Sequence, residues 1–363
     1  MSRPPLRIVI LGLSITSSWG NGHATTYRAL MRELVARGHD VLFLERDTEW
    51  YAAHRDLPVP PHGRTVLYTD QADLRRRFGA AVREADLVIV GSYVPDGVAI
   101  GEWVTRTAGG IRAFYDIDTP VTLAKLARGD YEYLSPELIP RYDLYLSFTG
   151  GPTLETLERV YGAQEARALY CSVDPTLYHP EAMFPRYDLG YMGTYSADRQ
   201  PALEALLLGA AARAPDRAFA VAGPQYPATI RWPPNVTRIE HVPPDRHRRF
   251  YGGQRFTLNL TRADMIAAGY SPSVRLFEAA ACATPIISDY WTGLETVLTP
   301  GQEILVASTT GEVLEYLREM DDAERLALGQ RAQRRVLGAH TAAHRAAELE
   351  AHALRLLARE PAA

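Results

Sequence analysis

Along the N-terminal half of the chain, short runs of β-branched and large apolar residues alternate with longer amphipathic stretches. This is the pattern of βαβ units that close on a parallel sheet. The runs predict strands at 7–11, 41–45, 87–90, 111–116 and 144–148. Between the first two, Leu30, Leu34 and Val35 recur at helical spacing and predict a helix over about 24–37 that stops at Gly38. The strand–helix–strand connection is then a right-handed crossover. The pattern breaks over 171–180 (CSVDPTLYHP), where prolines recur at 175, 180 and 185 and mark a domain linker. A second alternation follows, with strands at 189–192, 218–222, 237–241 and 256–260 and helices over about 201–214 and 244–251. The second half therefore repeats the architecture of the first, and no short tandem repeat is present. The Ala-, Leu- and Arg-rich stretch 321–359 predicts a helical tail that returns to the first lobe with its arginines in solvent.

The segment 269–289 (GYSPSVRLFEAAACATPIISD) predicts loop, helix, tight turn and buried strand. Ser271 is placed to cap the helix, and Pro272 suits its first turn because proline has no amide hydrogen to leave unpaired. Helical spacing puts Ser271, Arg275 and Glu278 on one polar face, with Leu276, Phe277, Ala280 and Ala281 forming an apolar stripe. Two readings of that face stand side by side. In one, helix N-terminal amides and Arg275 meet phosphate while Glu278 accepts from ribose hydroxyls. In the other, Arg275 and Glu278 are a solvated i,i+3 ion pair contributing only about 0.2–0.5 kcal/mol.

Composition narrows the function classes. The 363 residues suffice for two domains, and 47% hydrophobic with 23% charged residues describe a globular protein. A formal net charge of −4 provides no basic field for nucleic acid, so none is expected as a partner. Cys171 and Cys282 are far apart in apolar surroundings, as buried thiols of a cytoplasmic protein would be. The apolar run after Arg7 is too short for a transmembrane segment. The basic cluster 246–249 reads as a solvated helix face, with peripheral contact to an anionic membrane as the other option.

In open α/β sheets ligands bind beyond the carboxyl ends of strands, so the loop after the first strand of each half is the place to look. In the first half it holds Trp19, Gly20, Asn21, Gly22 and His23, where the glycines allow close backbone approach. His23 could orient an acceptor or act as base; otherwise Asn21 and Gly22 form a turn and His23 starts the helix. The spacing is not that of a dinucleotide fingerprint. In the second half the loop holds Gly193, Thr194 and Arg199, which with Arg275 gives two cations for two phosphates. His241 and Val242, at another strand end, would flank a nucleotide base through their backbone. Asp116 and Asp118 follow a first-lobe strand and are read as acceptor-side or catalytic carboxylates, or as a helix cap before Pro120. Trp19, Trp50, Tyr51, Tyr93, Tyr131 and Tyr133 are candidate acceptor-site aromatics. No metal-ligand spacing or local hydrolase signature is found, and no cofactor is expected.

Taken in order, the loop with Arg199, the runs 221–224 (VAGP), 239–243 (IEHVP) and 256–261 (FTLNLT), and the segment 278–285 (EAAACATP) resemble family 4 of the GT-B glycosyltransferases. The runs 19–23 (WGNGH), 37–40 (RGHD), 45–47 (ERD) and 272–278 (PSVRLFE) are similar to CgeB-like proteins within that group. The resemblance covers nearly the whole chain. It implies an α/β GT-B architecture of two Rossmann-like lobes around an interdomain cleft. Residues 1–180 would form an acceptor-side domain, 181–335 a nucleotide-sugar domain, and 336–363 a C-terminal helix packed back on the first. It also implies a metal-independent, retaining transfer of sugar from a nucleoside-diphosphate sugar to an unidentified acceptor. Glu278 matches the second glutamate of the family's E-x7-E motif, which binds ribose, and Arg199 matches a diphosphate-binding cation. Tyr270 stands where the first glutamate would be, within a donor-binding segment of Tyr270, Ser271, Ser273, Val274, Arg275 and Glu278. Asp118 lies in the run where many members place a catalytic histidine, so His23 and Asp118 are the catalytic candidates. A sugar-nucleotide epimerase and a catalytically silent nucleotide-sugar-binding protein are the alternatives on the same fold.

Overall fold

The computed structural model of the chain describes residues 5–359. Its first sheet has strands β1 Arg7–Gly12, β2 Asp40–Arg46, β3 Arg64–Tyr68, β4 Leu87–Gly91, β5 Ile111–Asp116, β6 Leu144–Ser147 and β7 Ala166–Ala168. All pairs are parallel, in the order β3-β2-β1-β4-β5-β6-β7. The central strands are apolar at nearly every position because both faces are covered. Val9, Leu11, Val88 and Val90 enter one core, and Ile8, Ile10, Leu87 and Ile89 enter the core on the opposite face.

The second sheet comprises β8 Tyr187–Met192, β9 Phe219–Ala222, β10 Val236–Ile239, β11 Gln254–Asn259, β12 Ile286–Ser288 and β13 Leu305–Val306. It is again parallel, in the order β10-β9-β8-β11-β12-β13, the same winding as the first six strands of the other sheet. In each sheet the order reverses around the first strand, β1 or β8. The crevice at such a reversal is where the carboxyl-end loops diverge and a ligand can enter. It selects the loops after β1 and β4 in one sheet, and those after β8 and β11 in the other.

The chain divides into two compact units, Cys171–Thr341 and the remainder. The first unit thus ends at Tyr170 rather than at 180. Residues after 170 are tied to the second unit: Val173 N–H donates to His340 O at 3.2 Å, and the Tyr178 hydroxyl lies 3.0 Å from His247 Nδ1. The tail is likewise two helices, Asp322–Ala339 and Ala342–Leu357, broken where Val173 bridges Thr341. The first-unit portion therefore begins at Ala342 instead of 336, and residues 360–363 lie outside the described residues. The tail's arginines are also less solvated than expected. Arg325 and Arg345 are buried, donating to the carbonyls of Arg255 and Tyr170, while Arg335 holds that of Thr296. Strands β3, β7 and β13 had no sequence signal, being short or half-covered edge pieces. Cys171 and Cys282 are buried and unpaired with each other. Among the described residues no helix is long and apolar enough to cross a membrane.

Helix Ala342–Leu357 packs on helix His23–Ala36 through Ala346, Leu349 and Ala353. A buried carboxylate closes the contact, with Glu350 accepting from the Arg37 guanidinium and lying 3.6 Å from His39 Nε2. His39 Nδ1 accepts the Leu6 amide at 3.1 Å, which leaves the proton on Nε2, toward Glu350. Removing this carboxylate strands a guanidinium and a buried imidazole, so Glu350→Ala should lower unfolding free energy by roughly 3 kcal/mol. The exposed Arg106–Glu102 pair is the control: Arg106→Ala should cost less than about 1 kcal/mol. Urea denaturation of both variants measures the difference, and equal effects would remove Glu350 from this role.

Candidate functional site

In the first unit the loop after β1 is built before any ligand arrives. Glu45, fully buried at the end of β2, accepts from the hydroxyls of Ser14 and Thr16 and the amides of Ile15 and Thr16, at 2.6–3.0 Å. Asn21 is buried and fastens the same loop, donating to Ser14 O and Ser17 O and accepting from the His23 amide. It therefore acts inside the loop and does not face an acceptor. Gly20 takes φ +60°, a turn that suits glycine, and Gly22 precedes the helix that His23 opens. Trp19 stacks on His54 with ring centroids 4.6 Å apart.

His23 Nε2 lies 3.7 Å from Asp118 Oδ2, which also accepts from the Tyr93 hydroxyl at 3.1 Å. His23 Nδ1 is buried without a hydrogen-bond partner. Asp118 sits at the N-cap position of helix Thr119–Ala127, but its side chain makes no cap hydrogen bond, so its carboxylate serves His23 and Tyr93 instead. Tyr93 adopts φ +64°, a left-handed conformation uncommon for a bulky residue, at the β4 end of the same crevice. A carboxylate behind an imidazole is an arrangement that can take a proton from a hydroxyl.

Asp116 proves to be a supporting group. It is fully buried, accepting from Tyr145 at 2.6 Å, Thr122 at 2.8 Å and the Asp118 amide at 3.2 Å, so no acceptor can reach it directly. Tyr133, which bonds Thr122, is also buried and belongs to this network, whereas Trp50 and Tyr131 are exposed.

In the second unit the two expected cations converge. Arg275 is 8% exposed and spans the sheet's carboxyl edge: Nε donates to Met192 O at 2.6 Å and Nη1 to Asn259 Oδ1 at 2.8 Å, while the guanidinium lies over the Tyr191 ring. Its Nη2 points at Gly193, where a Cβ would come within 2.9 Å, so glycine is needed for that approach. Arg199 donates Nη2 to Thr194 O at 2.7 Å, and its Nε is buried without a partner. Among the described residues neither guanidinium has a carboxylate within ion-pair distance. The solvated Arg275–Glu278 pair is thereby overturned: both residues are buried and each is directed to other partners. The Gly193 amide is also committed, donating to Ala222 O at 2.8 Å, as is that of Tyr195, donating to Pro224 O at 3.0 Å. Gly223, at φ +140°, has its Cα against Gly193 O where a Cβ would be 2.0 Å away, locking the β8 and β9 loops together.

The helix of the 269–289 motif runs Val274–Ala281, so Ser271 lies before it and does not cap it. Ser273 occupies the cap position but turns its hydroxyl to Asn259 Oδ1 at 2.7 Å. Tyr270 has φ +47° and lays its ring on Gly293, with its amide on Thr292 O. Glu278 is buried and accepts from the Tyr251 hydroxyl at 3.0 Å through Oε2. His241 and Val242 lie past the end of β10, and Val242 O meets His247 Nε2 at 3.0 Å. Asn259, not singled out by the sequence reading, joins Ser273, Arg275 and Ser288, partners that local spacing does not reveal. Among the described residues no group of three or more His, Cys, Asp or Glu could hold a metal.

Burial pushes the Asp116 carboxyl up to about 6, against the opposing hydrogen bonds from Tyr145 and Thr122. A raised folded-state value means that the folded protein binds more protons than the unfolded chain between about pH 4 and 6. Across that window stability falls as pH rises, by on the order of 3 kcal/mol in all. Asp116→Asn should flatten this part of the stability–pH curve, as followed by urea unfolding at each pH. An unchanged slope would remove Asp116 as its source.

A family model described as glycosyl transferase-like matches residues 199–351. No curated protein matches the chain. Among solved structures, sucrose-phosphate synthase from Thermosynechococcus elongatus superposes with a TM-score of 0.73 at 16% identity, covering 98% of this chain and 100% of the other. HepE from Anabaena, in complex with UDP and glucose, gives 0.71 at 12% identity over 97% and 100%. AviGT4, a glycosyltransferase involved in avilamycin A biosynthesis, gives 0.63 at 18% identity over 98% and 99%. With its two parallel sheets of matching order, the chain has the GT-B glycosyltransferase fold.

Proposed function

We propose that the protein is a glycosyltransferase that binds a nucleoside-diphosphate sugar on its second unit and an acceptor hydroxyl on its first. One observation carries the reading: two guanidiniums without carboxylate partners, one of them buried, converge on a glycine loop at the sheet's reversal point. A buried cation left without a counter-charge is costly, and a diphosphate supplies that charge. The start of helix Val274–Ala281 adds its dipole on the same side. Glu278 would accept from the ribose, and the backbone at His241 and Val242 would meet the base. Of the solved relatives, HepE is described with UDP and with UDP-glucose, which makes a uridine donor the first to try.

In this mechanism Arg199 and Arg275 stabilise the departing diphosphate, so the step requires no metal. His23 and Asp118, with Tyr93, would orient the acceptor hydroxyl and take its proton, with Trp19 and Gly20 beside it. The subgroup and retention of anomeric configuration come from the resemblance to family 4 and CgeB-like proteins, and Tyr270 marks where sugar contacts differ from that pattern. Peripheral membrane contact through the basic cluster 246–249 is no part of this chemistry.

Thermal unfolding with saturating UDP, GDP and ADP tests the donor site. A ligand at a hundred times its dissociation constant should add about 2.7 kcal/mol of stability. Arg199→Ala should cost turnover of the donor so identified roughly 10²- to 10³-fold; an unchanged rate would refute its role. Asp118→Asn and His23→Gln should each reduce transfer by about 10²- to 10⁴-fold while leaving nucleotide affinity as it was. Loss of affinity in either would move these residues out of the acceptor chemistry.

A further inference from the structure

The carboxylate read above as the ribose acceptor does not stand alone. Glu278 is 4% exposed, and its Oε2 lies 3.8 Å from Nδ1 of His247, a residue of helix Pro244–Gly252 that the function has not used. His247 Nδ1 is 3.0 Å from the Tyr178 hydroxyl, and Nε2 is 3.0 Å from Val242 O. A carbonyl can only accept, so Nε2 donates to Val242 O, while the Tyr178 hydroxyl, in hydrogen-bond contact with both His247 Nδ1 and the Glu278 carboxylate, links the ring to Glu278. Both nitrogens are then committed, and the imidazole cannot turn without breaking one of the two bonds. Tyr178 is itself buried against Glu278, and Tyr251, one helical turn from His247, donates to the same carboxylate oxygen. Within one helix, therefore, one side chain holds the loop after β10 and the next holds the carboxylate on helix Val274–Ala281.

We infer that His247 is a positioning residue of the nucleotide site, tying the Val242 loop to the Tyr178–Glu278 cluster and so fixing the distance between the base and ribose contacts. This rests on the nucleoside-diphosphate reading above. A base on the backbone of His241 and Val242 and a ribose on Glu278 belong to one nucleoside. The two protein groups must keep a fixed separation, although helix Pro244–Gly252, β11 and helix Ala263–Ala268 intervene between β10 and helix Val274–Ala281 along the chain. The His247 ring, beside the Tyr251–Glu278 bond from the same helix, ties the Val242 loop to that carboxylate. Its effect should fall on nucleoside recognition and not on the diphosphate cations, which are held by Met192, Thr194 and Asn259.

The experiment is calorimetric titration of the full chain with UDP, GDP and ADP, using wild type, His247→Ala, His247→Gln, Glu278→Gln, Arg199→Ala and the two double variants that combine His247→Ala with the latter pair. For whichever nucleotide wild type binds, His247→Ala should weaken affinity about 10-fold, the scale of one lost hydrogen bond. His247→Gln, which can still donate to Val242 O, should recover part of the loss. The His247 and Glu278 effects should be non-additive, and those of His247 and Arg199 should multiply. Full affinity in His247→Ala, or losses that multiply with Glu278→Gln, would overturn the tie while leaving the nucleotide reading intact. No binding of any of the three by wild type would instead overturn the nucleotide reading, and the tie with it. Thermal unfolding without ligand checks folding of each variant, and His247→Gln carries the test if His247→Ala does not fold.

Discussion

The second unit is organised around a buried positive charge. Arg275 has exchanged water for two carbonyls, one amide oxygen and a tyrosine face, and among the described residues no carboxylate lies within ion-pair distance of it. Neutral dipoles can hold a guanidinium in place but do not cancel its charge. Much of the surrounding structure follows from that imbalance. Asn259 ends β11 with an amide whose oxygen accepts from Arg275, Ser273 gives its hydroxyl to the same amide, and Gly193 leaves room for the Tyr191 hydroxyl and for Nη2. Asp289, a buried acid that feels the Arg275 charge, is held by Thr261 and makes no direct pair with it. A carboxylate in contact with Arg275 would make the site more comfortable and take away its pull on an anion.

The first unit solves a different problem with the same winding. Its crevice is lined by acids held by neutral donors: Glu45 by Ser14, Thr16 and two amides, and Asp116 by Tyr145 and Thr122. Such carboxylates are rigid, since each oxygen is already satisfied and any shift would leave a buried polar group unpaired. The rigidity passes outward to Asn21 and the start of helix His23–Ala36 in one direction, and to Asp118 in the other. Two units of one topology thus present opposite electrostatic characters, one cationic and open to an anion, the other acidic and closed on itself.

Most strands that could be read from the chain are covered on both faces, because burial on both sides writes an unbroken apolar run; edge strand β10 is the exception. Strands β3, β7 and β13 are edge strands, either short or of mixed residues, and left no such trace. Arg199, Arg275 and Glu278 were legible because loop position and helical spacing alone bring them to the carboxyl edge. The partners that decide what those residues do were not. Asn259 and Met192 reach Arg275 from strands 16 and 83 positions away, and Tyr251 and Tyr178 reach Glu278 from another helix and from the segment after Tyr170. The supposed ion pair at i,i+3 failed for this reason: local spacing allowed it, and distant partners outcompeted it. The ends of the units were likewise set by single long-range bonds, such as that from Val173 to His340, which proline content cannot report.

One consequence of the division into units concerns synthesis. The first unit is interrupted: it stops at Tyr170 and is completed only by the helix Ala342–Leu357, whose Leu349 and Ala353 fill one of its two cores and whose Glu350 neutralises Arg37. On the ribosome, the second unit is whole before the first can be. A nascent chain carrying residues up to 341 presents a sheet with one apolar face covered only in part, by helix His23–Ala36, until the helix Ala342–Leu357 emerges. The order of folding thus runs against the order of translation, and the face of helix His23–Ala36 that receives Leu349 is the surface a chaperone would have to shield in the interval.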